Sequence, residues 1–230
     1  MDRNSNGYTF LFAGIMVIVV GALLAFTATS LKPAQDENVK KEKMQNILAS
    51  VGVDVDREAA TAKFGDVVKQ QLSLSEDGSV KPDINAFNVD LKEELAKPVD
   101  KQTYPLYVAE QDGESFYIIP LRGAGLWDAI WGYVALDSDM NTVKGTVFDH
   151  KGETPGLGAE ITQKWFQDRF VGKKIRNESG KIVGVEVVKA NATPNDVDAI
   201  SGATITSNGV SEMIAERLAH YQGYFDKLKK

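Results

Sequence analysis

The chain has 230 residues, 43% of them apolar and 25% charged, which is enough for one domain with its own core plus appendages. A formal net charge of −6, with no clustered basic face and interleaved aromatics, argues against a nucleic-acid surface. The absence of cysteine excludes a disulfide framework, a thiolate nucleophile, a cysteine-ligated iron–sulfur cluster and thioether-linked haem, and it leaves the compartment open.

Residues 1–7 read as a tail. Tyr8 to Leu31, YTFLFAGIMVIVVGALLAFTATSL, then run without a charge. At about 1.5 Å per residue this stretch reaches about 36 Å, enough to cross a hydrocarbon layer of about 30 Å with some tilt. A cleaved signal peptide has a shorter apolar core and a small-x-small site, and no such site follows, so the expectation is one retained span in a lipid bilayer. Lys32, Lys40, Lys41 and Lys43 follow the span, whereas Arg3 and the amino terminus precede it. Counted alone, these charges would leave the remainder of the chain in the cytoplasm.

Pro33 is expected to end the membrane helix, and Asp36 or Asn38 to cap a new one with Met44, Ile47, Leu48 and Val51 on one face. A second helical stretch is expected from Asp56, with Ala60, Phe64, Val67, Val68 and Leu72 on its face. Residues 73–100 read as polar loop with short strands, so 32–100 is assigned as a helical stalk and outer layer. The core at 101–230 reads as β. Ser115–Gly123, Ile130–Ser138, Val143–His150 and Lys181–Lys189 are rich in β-branched and aromatic residues between turn residues. Ala159–Gly172 reads as a helix with Ile161, Trp165 and Phe170 inward. A last helix carries Val210, Met213, Ile214, Leu218 and Tyr221. The expected fold class is α+β: a single amino-terminal transmembrane helix, then a globular domain with a mainly antiparallel sheet flanked by helices.

Three glycine-rich stretches can carry chemistry. LRGAGLW (Leu121–Trp127) resembles half a dinucleotide fingerprint but leads into a hairpin, which excludes a Rossmann reading. Trp127 suits either the core or the wall of a flat aromatic ligand. HKGETPGLG (His150–Gly158) closes a strand with a tight loop. There Glu153 and Thr154 offer polar contacts, and Gly156, Leu157 and Gly158 offer a flat surface. His150 lacks an accompanying nucleophile and reads as a strand-end residue. With His220 far away in sequence, a histidine-based metal site is not expected, and no catalytic residue is assigned. DAISGATITSNGV (Asp198–Val210) crowds hydroxyls at the mouth of a helix. Ser207 or Asn208 can cap that helix, which leaves Ser201, Thr204 and Thr206 without an explanation. Free N–H groups and the positive end of the helix dipole suit a phosphate, and Gly202 and Ala203 leave room for one. These features do not distinguish an exchangeable phosphate from a phosphoester on threonine.

Asp198-Ala199-Ile200-Ser201-Gly202-Ala203-Thr204 resembles the flavinylation motif Asp-x-x-Ser/Thr-Gly-Ala-Thr of the FMN-binding domains in respiratory ion pumps. ETPGLG and GLWDAIWGYVAL resemble the flavin-facing loops of the C subunits of Na+-translocating NADH:quinone reductases. The likeness spans the anchor and most of 100–225 and is weakest over 50–100. It implies FMN attached covalently through its phosphate to Thr204 by a flavin transferase. It also implies flavin contacts from Trp127, Glu153, Thr154, Leu157 and Gly158, with Ser201, Gly202 and Ala203 forming the attachment loop. Lys189 is a candidate for the phosphate or the ring edge, and Asp198 and Ser201 for recognition by the transferase or for holding the loop. Further implications are electron relay among the other subunits of a respiratory complex in the cell inner membrane, and a periplasmic soluble domain, against the count of flanking lysines. The FMN subunit of ion-translocating ferredoxin:NAD reductases shares the motif, although GAGLW favours the quinone-reductase pattern. A flavin-free anchored binding domain is the alternative of another class.

Overall fold

The computed structural model describes Arg3, residues 5–189, Thr193 and residues 195–229. It divides into two compact units, Met1–Lys43 and Met44–Lys230. The first consists of most of helix α1, Asn6–Ser50. Phe10, Val17 and Phe26 are each more than 70% exposed along it, and the helix is long and apolar enough to cross a membrane. Pro33 lies inside α1 and does not end it, contrary to expectation. A proline removes one hydrogen bond, here to the carbonyl four residues back, and no glycine follows to turn the chain out. Asp36 and Asn38 are therefore mid-helix residues.

The second unit begins with the last turns of α1, where Ile47 and Leu48 are fully buried. Helix α2 (Ala60–Val67), strand β1 (Val68–Leu74), helix α3 (Leu91–Leu95), strand β2 (Tyr104–Gln111), β3 (Glu114–Ala124), β4 (Ala129–Leu136) and β5 (Val143–His150) follow. The five strands form one antiparallel meander in the order β1-β2-β3-β4-β5. Asp112 and Gly113, both at positive φ, make the two-residue turn between β2 and β3, as an Asp-Gly hairpin requires.

Both faces of this sheet are covered. Tyr107, Ala109, Phe116, Ile118, Tyr133 and Ala135 pack towards α2 and the end of α1. The alternate residues Leu106, Ile119, Leu121, Ile130, Val134 and Leu136 pack with Val210, Met213, Ile214 and Leu218 of helix α5 (Thr204–Ala219). The period of two thus divides one sheet between two apolar layers.

The α+β architecture agrees with expectation, but several elements differ. Val68 and Leu72 belong to β1, because pairing with β2 overrides their helical spacing. Strand β2 is an addition to the expected elements. Its Pro105 pairs with Ser73 of β1 and lies beyond the stretch of β2 that pairs with β3, so its missing N–H breaks no ladder there. The helix expected over 159–172 is instead a 3-10 turn (Gly158–Thr162), the short helix α4 (Lys164–Gln167) and a second 3-10 turn (Asp168–Phe170). Phe166, not Trp165, faces the core. Of the strand expected at 181–189, only β6 (Val187–Val188) forms, parallel to β7 (Val197–Asp198). Gly184 breaks it: φ is +83°, and a Cβ there would lie 2.8 Å from Cα of Ala215 in α5. Helix α6 (Gln222–Leu228) closes the chain.

Candidate functional site

Helix α5 begins at Thr204, earlier than the sequence implies, so Ser207 and Asn208 are not its caps. Ser207 lies within the first turns, is buried, and accepts a hydrogen bond from the Ile200 N–H at 3.3 Å. The capping position falls on Ala203, whose side chain cannot bond, so the helix opens without a side-chain cap. Its approach is a tight turn in which the Ala203 N–H donates to the Ile200 carbonyl at 3.0 Å. Gly202 sits at φ +76°, a left-handed conformation open to glycine at little cost. Thr204, at the first helical position, is exposed.

This helix end forms one wall of a crevice with about 520 Å³ of empty space that opens to solvent. The opposite wall is the loop after β5, through Glu153, Thr154, Leu157 and Gly158, with Leu126 from the β3–β4 loop. Gly202, Ala203, Thr204, Ile205 and Thr206 complete the lining. Leu126, Leu157 and Ile205 keep between 41% and 58% of their surface exposed, an unusual concentration of apolar side chains at one mouth.

Polar contacts fix the walls. Trp127 is 69% exposed and so is not a core residue. Its indole Nε1–H donates to Thr154 Oγ1 at 3.2 Å, and its backbone N–H donates to Glu153 Oε1 at 2.9 Å. The Thr206 hydroxyl donates to Glu153 Oε2 at 2.6 Å, inside the protein. Asp128, beside Trp127, accepts from Lys151 Nζ at 2.8 Å, and that bond holds its carboxyl below the usual carboxylate range.

Of the residues singled out from sequence, Glu153, Thr154, Leu157, Gly158, Gly202, Ala203 and Thr204 come together in the lining, and Trp127 is bonded to it. Ser201 and Lys189 are exposed and lie outside the lining. Lys189 follows β6, whose Val188 pairs with Asp198 of the motif. Arg169 donates to the Asp198 carbonyl at 2.9 Å and stands over the Trp165 ring. Sequence reasoning misses Leu126 and Ile205, whose only signal is adjacency to Trp127 and Thr204. It marks Thr206 as a spare hydroxyl without finding the partner.

Residues 125–219, which contain every lining residue of this crevice, match the FMN-binding domain family, and this defines the class of protein. The chain is 30% identical to the C subunit of the Na+-translocating NADH-quinone reductase of Pseudomonas aeruginosa, over 93% of this chain and 91% of that protein. It is also 30% identical to the C subunit from Neisseria meningitidis serogroup B, over 99% of this chain and 96% of the relative. The crystal structure of the C subunit from Parabacteroides distasonis superposes with a TM-score of 0.79 at 41% identity, over 85% of this chain and 96% of that one. The chain belongs to the family formed by the C subunits of Na+-translocating NADH-quinone reductases.

The residues present fit a flavin nucleotide. The uncapped end of α5 suits a phosphate, and the exposed apolar side chains and Trp127 suit a flat ring.

Proposed function

We propose that this chain is the membrane-anchored flavoprotein subunit that relays electrons inside a Na+-translocating NADH-quinone reductase, through FMN esterified to Thr204. The position of Thr204, an exposed residue at an uncapped helix end on the wall of the crevice, carries this reading. Attachment joins Thr204 Oγ to the phosphorus of the FMN moiety of FAD. The phosphoanhydride bond of FAD breaks, AMP leaves, and the hydroxyl proton is released; a flavin transferase supplies the FAD and the catalysis.

Once bound, FMN supplies reversible electron transfer, and the protein supplies position and environment. Thr204 tethers it. The N–H groups of the first turn of α5 offset phosphate charge. Leu126, Trp127, Leu157 and Ile205 shield the ring from water, and Thr154 and Gly158 line its approach. Ser201, Gly202 and Ala203 present the acceptor, Asp198 and Ser201 are read by the transferase, and Lys189 offers a charge near the motif. Residues 8–31 anchor the chain in the cell inner membrane, 32–100 supply the stalk, the outer layer and the edge strand β1 of the sheet, and 101–230 form the rest of the periplasmic FMN-binding domain. NADH oxidation, quinone reduction and the ion path fall to partner subunits, since the described residues hold one candidate span and their sheet is an antiparallel meander rather than a dinucleotide-binding fold.

Mass spectrometry of protein made with its flavin transferase tests this directly. The expected result is one FMN phosphoester on the peptide containing Thr204, absent in Thr204→Ala. Unmodified wild-type protein under those conditions would overturn it.

A further inference from the structure

Glu153 is 5% exposed, and no ion pair to it occurs among the described residues. Burying a carboxylate without a cation is costly, so its surroundings must satisfy both oxygens. They do so from two walls of the crevice. Oε1 accepts from the Trp127 N–H at 2.9 Å, and Oε2 accepts from the Thr206 hydroxyl at 2.6 Å. The backbone N–H of Glu153 donates to His150 Nδ1 at 3.1 Å, which ties the residue to the end of β5. The two glycine loops close on the same group: a Cβ on Gly125 would meet Oε1, and a Cβ on Gly158 would meet Oε2.

A glutamine in the same place could keep this bracing. Its amide oxygen could accept from Trp127, and its NH₂ could donate to Thr206, whose hydroxyl also accepts. Bracing therefore needs the shape of Glu153 but not its charge. The charge has a separate consequence, because a fixed anion at the crevice disfavours added negative charge on whatever is held there.

We propose that Glu153 is a positioning residue with two separable roles. Its shape locks Trp127 to the first turn of α5, which carries Thr204, and its charge holds the reduction potential of the bound flavin down. This rests on FMN occupying the crevice.

The test uses the full chain, produced with and without flavin transferase, as wild type, Glu153→Gln, Glu153→Ala and Thr206→Val. Glu153→Gln should keep the Trp127 amide as protected from hydrogen exchange as in wild type and attach flavin equally well, while its midpoint potential moves positive. In the flavin-free protein, Glu153→Ala should speed exchange at the Trp127 amide by about tenfold, the equivalent of one lost hydrogen bond, and should attach less flavin. Thr206→Val keeps the Trp127 bond, so that amide should stay protected while attachment falls. Wild-type exchange at Trp127 in Glu153→Ala overturns the bracing role. If that variant does not fold, full attachment in Thr206→Val overturns it instead. A potential in Glu153→Gln equal to or below that of wild type overturns the charge role. Wild-type protein without flavin on Thr204 marks failure of the attachment reading alone, because exchange in the flavin-free protein still judges the bracing.

Discussion

Thr204 and Thr206 stand two positions apart on the first turn of α5 and do opposite things. Thr206 is 1% exposed and its hydroxyl is bonded to Glu153, whereas Thr204 is exposed at the crevice. In sequence the two are equivalent, as is Ser201, because all three are small hydroxyls in one short stretch. The direction of each side chain is set by where α5 begins, and Ala203 at the capping position moves that point forward. The glycine loops are legible as places of close approach, but the group they approach is not, since Glu153 comes from a different part of the chain than Gly125. At this scale Gly158→Ala should destabilise the flavin-free protein by about 1–3 kcal/mol, because its methyl would meet Glu153 Oε2 and lie 2.6 Å from Thr206 Oγ1. Thermal melting monitored by circular dichroism would show this as a lowered midpoint, and an unchanged midpoint would mean that the loop yields.

Among the elements, β3, β4 and β5 are readable because short turns separate runs of β-branched and aromatic residues. Strand β1 is not, because its edge position leaves Lys69, Gln70 and Gln71 exposed between apolar ends, a pattern that does not announce a strand. The stretch at 181–189 misleads in the other direction: Ile182, Val185 and Val187 are buried as a strand's residues would be, yet most of it lies against α5 without a ladder. On its side away from β7, β6 is held by a side chain instead of another strand, for the Val187 N–H donates to Ser211 Oγ at 2.7 Å. Ser211→Ala should leave that N–H unpaired and cost about 1–3 kcal/mol in chemical denaturation. A smaller loss would show that water reaches the site.

For the molecule as a whole, the last turns of α1 belong to the core of the second unit, through Ile47 and Leu48, with Val51 just beyond the helix. The apolar run at 8–31 is plain from sequence, whereas the continuation of the helix past Pro33 is not, because one proline removes a single bond from a 45-residue helix. A chain starting at Met44 should stay soluble and fold cooperatively, retaining these contacts. One starting at Gly52 should lose about 4 kcal/mol or more, since it removes two fully buried aliphatic side chains and leaves their space empty. Urea titration of the two fragments would separate these cases, and equal midpoints would show that the helix end adds nothing to the core.

Thr204 needs no rearrangement of the interior to become reachable. If flavin is attached there as proposed, manufacture of the protein divides into two stages that need not coincide: the polypeptide can reach its finished shape first, and its pigment can be installed afterwards from outside. A colourless but well-formed population would then be an ordinary precursor, awaiting an enzyme rather than refolding.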